Sequence, residues 1–150
     1  MLPDTKYTPW NPDHHALKRV KHSLPIPSVC PYCNAEVNIK NNDAVYGKSF
    51  GTWPWVYLCS NQRCNAYVGL HPRTHLPLGT LADEKTRNAR KTTKQLFNAL
   101  WDGKNRTFRN RSEAYQWLAT ELCITPDACH FGMFDLEACR RAYRVLAKPR

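Results

Sequence analysis

The sequence predicts an α+β protein: a small β unit pinned by cysteines, packed against a C-terminal bundle of about three helices. Three observations predict it. Two cysteine pairs, Cys30/Cys33 and Cys59/Cys64, bracket short segments in which apolar and polar residues alternate. Apolar residues recur at helical spacing in three stretches after residue 81. Five prolines among the first 29 residues forbid long regular structure ahead of the cysteines.

The chain therefore reads as three segments: a Pro-rich basic arm at 1–29, a cysteine unit with a Pro-rich connection at 30–80, and a helical unit at 81–150. In the arm, His14 to His22 can form one short basic helix, and Tyr7 and Trp10 can dock it. In the cysteine unit, Val37 and Ile39 alternate with polar neighbours as on a half-buried strand. Asn41-Asn42-Asp43 reads as a turn, and Ala44 to Gly47 as the returning strand. Val56 to Leu58 and Ala66 to Leu70 are further strands.

In the last segment, 81–102 reads as one helix stopped at Gly103, with Ala89, Thr93, Leu96, Phe97, Leu100 and Trp101 on its apolar side. A second helix starts at Ser112, a residue type that caps helices, with Ala114, Tyr115, Trp117, Leu118 and Leu122 inward. Asp135 caps a third through Leu146, with Ala138, Ala142, Val145 and Leu146 inward. Ser112 to Leu146 also admits a helix-turn-helix reading. Its recognition helix near Asp127–Met133 would be short and poor in base-reading residues.

The totals bound the function. A length of 150 residues suits one domain or two small ones, and 42% hydrophobic residues sustain a packed core. Lys and Arg number 22 against 12 Asp and Glu, a formal charge of +10 that favours polyanionic partners. Met1-Leu2-Pro3-Asp4 lacks the apolar region of a signal peptide, and no run is long enough to span a membrane. The expectation is a cytoplasmic protein without a membrane partner. In such a reducing compartment clustered cysteines bind metal more often than they form disulfides.

Cys30-Pro31-Tyr32-Cys33 is a tight turn that aims two sulfurs at one point. Cys59 and Cys64, with four residues between them, make a second pair within the usual ligand spacing. A hairpin between the pairs would bring all four sulfurs together. That set suits one structural zinc ion, four-coordinate and closed, with no position left for a catalytic water. A redox CxxC would need a βαβ context that the chain lacks. Bound zinc on four thiolates would leave a charge of about +8. His71 is an alternative fourth ligand to Cys64. Cys123, Cys129, His130 and Cys139 form a second group of metal-binding residue types. Their spacing is not a knuckle pattern, and buried cysteine is commonly a small hydrophobe.

Charge is uneven. Residues 81–111 hold nine cations, Lys85, Arg87, Arg90, Lys91, Lys94, Lys104, Arg106, Arg109 and Arg111, against Asp83, Glu84 and Asp102. Arg87, Lys91 and Lys94 share one helical face, opposite Leu96 and Leu100. Such a run is often only a solvated face. Here it is one-signed and follows a cysteine-bound unit, which predicts a nucleic-acid partner, DNA or RNA. Trp53-Pro54-Trp55 reads first as core packing and, as the alternative, as stacking surface.

Taken together, several strings resemble one family. They are Cys30 to Cys33, Tyr46-Gly47, Cys59 with Cys64 through His71, Pro77 to Asp83, Arg87 with Arg90, Phe97 with Leu100-Trp101, Tyr115 to Ala119, and Cys129 to Asp135 with Cys139. They are similar to the zinc-finger-containing domain family of phage and prophage proteins, over roughly residues 28–146. The resemblance implies a zinc ribbon with Cys30, Cys33, Cys59 and Cys64 as ligands, and a bacterial host cytoplasm. It supplies no activity and no catalytic residues. Asp83 and Glu84 read as first-turn acids matched to the helix dipole rather than as a catalytic pair. No Ser-His-Asp context, phosphate loop or open metal triad appears, so no enzyme is expected. The sequence thus predicts a non-catalytic zinc protein that binds nucleic acid. The alternative is a protein–protein adaptor or inhibitor of a host nucleic-acid enzyme or defence factor.

Overall fold

A computed structural model describes residues 6–149 and divides the chain into two units, Met1–Asp83 and Glu84–Arg150. The first five residues of the predicted arm lie outside the described residues.

In the first unit, three antiparallel strands, β1 (Val37–Asn41), β2 (Trp55–Cys59) and β3 (Tyr67–Gly69), lie in the order β1-β2-β3. The register pairs Val37 with Cys59, Ile39 with Tyr57 and Tyr57 with Val68. Side chains alternate across a strand, so these residues share one face. Val37, Tyr57, Cys59 and Val68 are buried there with Cys30, Ala66, Leu70 and Leu81. The arm belongs to this unit. Its helix α1 (His14–Arg19) is capped by Asp13, whose carboxylate accepts from the His15 N–H at 2.9 Å. Asp13 is itself buried and 3.6 Å from the Arg73 guanidinium, and its N–H donates to the Arg73 carbonyl. Trp10 meets Trp55 edge to face at 5.3 Å.

The predicted strand at Ala44–Gly47 is instead a single helical turn, α2 (Asp43–Tyr46), and β1 pairs directly with β2 from Asn41 to Trp55. Asparagine side chains decide this. Asn41 Oδ1 accepts from the Asp43 N–H and the Ser49 hydroxyl. The Asn42 amide donates to the Phe50 carbonyl and accepts from the Phe50 N–H, both at 3.0 Å. Gly47 ends the turn at φ +83°, a conformation that favours glycine. Trp53 and Trp55 are half-buried against the core, and the Trp53 indole donates to the Thr74 carbonyl, so packing uses these rings.

In the second unit the helix predicted at 81–102 is shorter, α3 (Glu84–Asn98). Its first predicted residues form a bridge between Ala82 and Tyr67 in the first unit. At its far end the Leu100 carbonyl accepts from the Thr107 and Phe108 N–H groups, closing a loop in which Gly103 has φ +101°. The second helix, α4 (Arg111–Glu121), is capped by Asn110 rather than Ser112. Asn110 is extended, and its side chain accepts from the Glu113 N–H at 2.9 Å, while Ser112 falls inside the first turn. Asp135 caps α5 (Leu136–Leu146), as its residue type predicts. Phe97, Ala114, Leu118, Leu122, Cys129, Phe131, Phe134, Cys139, Ala142 and Leu146 make the core. The segment proposed as a recognition helix is two 3-10 turns, Pro126–Ala128 and Phe131–Met133, and Phe131 is buried in that core. It cannot enter a DNA groove from there.

α4 ends in a Schellman motif. The Ile124 N–H donates to the Ala119 carbonyl and the Cys123 N–H to that of Thr120, with Cys123 at φ +57° where glycine is usual. The Cys123→Gly protein should therefore be more stable by about 1 kcal/mol, the cost of holding a Cβ in the left-handed region. A thermal melt of the second unit followed at 222 nm checks this. An unchanged or lower midpoint would contradict the strain.

Candidate metal centre

Each cysteine pair sits in the turn of a hairpin, which is why the pairs meet. Around the first turn, the Cys30 N–H donates to the Ala35 carbonyl and the Val37 N–H to that of Ser28. Around the second, the Cys59 N–H donates to the Ala66 carbonyl. The two turns are joined by the Val37–Cys59 register and by the Ser60 N–H, which donates to the Glu36 carbonyl.

The four sulfurs lie within 4.8 Å of one another. The Cys30–Cys64 Sγ separation is 3.7 Å and that of Cys33–Cys59 is 3.4 Å. A tetrahedron with zinc–sulfur bonds of ~2.3 Å has edges of ~3.8 Å, so the donors fit one zinc ion in number, chemistry and spacing. Backbone donors are aimed at the sulfurs as well. The Tyr32 N–H points at Cys30 Sγ and the Asn61 N–H at Cys59 Sγ, both at 3.4 Å. These hydrogen bonds favour the thiolate form. The Tyr32 hydroxyl also donates to the Leu81 carbonyl at 3.2 Å, fixing the first turn to the end of the unit.

The site has a local repeat that the spacing argument passed over. Cys33-Asn34-Ala35 and Cys64-Asn65-Ala66 are the same tripeptide. Both asparagines are left-handed, with φ +63° and +52°, a region that Asn enters more readily than most residues. Their N–H groups close equivalent turns, Asn34 onto the Cys30 carbonyl and Asn65 onto that of Asn61. The N–H groups of Ala35 and Ala66 then each favour the thiolate form of the ligand beside them, Cys33 and Cys64. The two extra residues of the second loop, Ser60 and Asn61, are thus absorbed before Gln62, and the closing turn is shared. The repeated Cys-Asn-Ala string was the signal for it.

Cys30 and Cys59 are buried, Cys64 half-buried and Cys33 exposed. The Ala35 N–H, with the Cys59 thiol beside it, draws the Cys33 thiol down to about 7. Burial pushes Cys59 up to about 12 and also raises Cys64. Metal-free protein at pH 7 therefore holds protons on Cys59 and Cys64, and zinc must displace them. Zinc binding at pH 7 should release at least two protons, and its affinity should fall as pH falls. Calorimetric titration in two buffers of different ionisation enthalpy counts the protons, and a count near zero would refute this assignment.

His71, the alternative ligand, is outside the cluster. It lies in the turn before Leu76, where burial lowers its imidazole pKa. The second group does not assemble either. Cys129 and Cys139 are buried in the helical core, whereas Cys123 and His130 are exposed. Burial pushes the Cys129 thiol up to about 11, which suits a small hydrophobe better than a ligand. Among the described residues, Cys30, Cys33, Cys59 and Cys64 are the one group able to hold a metal.

A family described as a zinc-finger-containing domain matches residues 26–149. The chain belongs to that family. The match begins just before the first cysteine turn and runs through the last helix. No curated protein and no solved structure matches the chain. This zinc-finger protein thus carries one zinc site closed by four sulfurs, in a mixed α+β fold. No described helix is long and apolar enough to cross a membrane.

The predicted cations divide into two groups. Lys85, Lys91 and Lys94 are exposed on α3 and Arg87 is half-buried, with Thr93 and Phe97 buried on the other side. Lys104 and Arg106 are exposed in the following loop. The remaining three make contacts within the fold. The Arg90 Nε donates to the Phe134 carbonyl at 2.8 Å, Arg109 pairs with Glu113 at 3.1 Å, and the Arg111 guanidinium lies 5.6 Å over the Tyr115 ring.

Proposed function

We propose that this zinc-finger protein is a non-catalytic nucleic-acid-binding protein, in which zinc fixes the Met1–Asp83 unit and the cations of the Glu84–Arg150 unit contact phosphate. One observation carries the reading: the second unit has fourteen Lys and Arg against seven Asp and Glu, and α3 turns Lys91 and Lys94 to solvent opposite its core face. A one-signed face of this kind attracts a polyanion. Lys85, Lys104 and Arg106 extend it, whereas half-buried Arg87 and the internally bonded Arg90, Arg109 and Arg111 contribute less. A four-sulfur zinc site leaves no open coordination position, which supports scaffolding over catalysis. The family resemblance favours a phage origin and a bacterial cytoplasm.

The test is a titration of zinc-loaded protein against DNA and RNA, single- and double-stranded, at two salt concentrations. Affinity should fall steeply with salt through counterion release. Replacing Lys91, Lys94, Lys104 and Arg106 together by Gln should reduce the logarithmic salt slope by about 3, at roughly 0.7–0.9 per phosphate contact. No binding at low salt would end the reading.

A second reading, a protein adaptor, is favoured by exposed apolar side chains in the first unit. Tyr46 and Phe50 meet edge to face at 5.2 Å, Tyr46 reaches the Tyr67 hydroxyl, and Leu78 is exposed beside Gly69. A stoichiometric partner that survives nuclease treatment would favour it.

A further inference from the structure

From Asp13 to Lys21 the first unit segregates its charge. Asp13, Ala16, Leu17 and Val20 are buried or half-buried, the spacing of one face of a helix. His14, His15, Lys18 and Arg19 are exposed on the other face, and Lys21 follows exposed. The one acid among the segment's described residues, Asp13, is turned inward, where it caps the helix and pairs with Arg73. The solvent face of α1 is therefore cationic and imidazole-bearing with no carboxylate of its own. Immediately before it stands Trp10, 67% exposed, the most exposed large hydrophobic side chain among the described residues. Its ring meets that of Trp55 edge to face, which steadies the indole while leaving it mostly exposed.

From these observations we infer that this segment is a binding surface for single-stranded nucleic acid, with Trp10 stacking on a base and Lys18, Arg19 and Lys21 on neighbouring phosphates. The inference rests on the nucleic-acid reading above but assigns a separate surface in the other unit and selects the strand form. Trp10 and His14 are four residues apart, at most about 14 Å of chain, and Lys18 is one helical turn beyond. An aromatic ring and a row of cations over that distance match what single-strand binders use, a stacking platform beside a charged track. In a duplex the base faces are already stacked on one another and closed to an indole. The partner with exposed base faces and a phosphate chain is a single strand.

The test uses full-length zinc-loaded protein and two probes, a thymidine dodecamer and a random-sequence duplex of the same length. Tryptophan emission and anisotropy are followed together. The dodecamer should quench the emission and the duplex should not. Trp10→Ala should weaken dodecamer binding about tenfold, the low end of one lost base stack, and leave duplex binding unchanged. Trp10→Phe should recover part of the loss. Replacing Lys18, Arg19 and Lys21 by Gln should lower the single-strand salt slope by about 2. Each variant is checked for one bound zinc, so that a folding defect is not read as lost binding.

Equal dodecamer affinity for wild type and Trp10→Ala overturns the inference, even if the protein binds nucleic acid through its helical cations. If the Trp10 and Lys18–Lys21 variants lose single-strand binding while the Lys91, Lys94, Lys104 and Arg106 variant keeps both single-strand and duplex binding, this surface stands and the helical one falls. Absence of binding to either probe overturns both.

Discussion

Removing the zinc with a strong chelator is expected to unfold Met1–Asp83 while Glu84–Arg150 keeps its helices. The first unit has little else to hold it. Its sheet is three strands of five, five and three residues, and its helices have six and four. Two of the eight buried side chains in its core cluster, Cys30 and Cys59, are themselves ligands. A four-thiolate zinc site contributes on the order of 10–16 kcal/mol at neutral pH, at or above the whole stability of an ordinary domain. Without the ion, four sulfurs remain within 4.8 Å, two of them buried, with no cation to hold them together.

Cys59→Ser should act like the chelator even with zinc present, since it removes the buried ligand opposite Val37. The helical signal at 222 nm should persist, because the three longest helices all lie in the second unit. Amide NMR separates the units directly. Val37, Tyr57 and Val68 should collapse to random-coil shifts as Leu118 and Ala142 stay dispersed. Native dispersion of both sets after chelation would show that zinc is not what holds the sheet.

The metal site was legible in the sequence because its chemistry is local: two cysteine pairs at ligand spacing need a hairpin between them, and β1 and β2 supply it. The core faces were legible for a similar reason. Val37 and Ile39 repeat every second residue, and Leu118, Ala142 and Leu146 fall at helical spacing. The misreadings share a different cause. Ala44 to Gly47 has the composition of a strand, but side-chain hydrogen bonds from Asn41 and Asn42 bend it into a helical turn. Asn110 displaced Ser112 as a cap although both residue types cap well, since the choice depends on where the loop returning from Leu100 delivers the chain. Periodicity reports which face is apolar. It is silent on asparagine side chains that bond across eight residues. The internal contact of Arg90 was equally invisible, because its partner is the Phe134 carbonyl, which only the fold brings near. The Arg111–Tyr115 contact is local, four residues along α4, and depended on the helix starting at Arg111 rather than at Ser112.

Phe97→Ala should cost the second unit about 3–5 kcal/mol, the usual range for emptying a fully buried phenylalanine site. Phe97 has no exposed surface. From α3 its ring lies 4.4 Å from that of Tyr115 on α4 and 5.3 Å from that of Phe131, which in turn lies 5.2 Å from Phe134 ahead of α5. One ring therefore joins α3 to α4 and to the 3-10 turn at Phe131, and its loss leaves a gap among partners that are themselves packed. A unit of this size, under about 80 residues, holds only a few kcal/mol in reserve, so the truncation should abolish cooperative melting. Phe97→Leu, which keeps most of the volume, should retain a melt at a lower temperature.

Zinc stoichiometry should remain one in both variants, since all four ligands lie in Met1–Asp83. The same substitution separates the two proposed binding surfaces. Lys91 and Lys94 share a face only while α3 is helical, so melting it should scatter them and flatten the duplex salt dependence. Trp10 and Lys18 would stay in place on the zinc-held unit, and quenching by a single strand should survive. If Phe97→Ala instead melts like the wild type, the aromatic contacts around it contribute far less than their burial implies, and the helical unit must draw its stability from elsewhere.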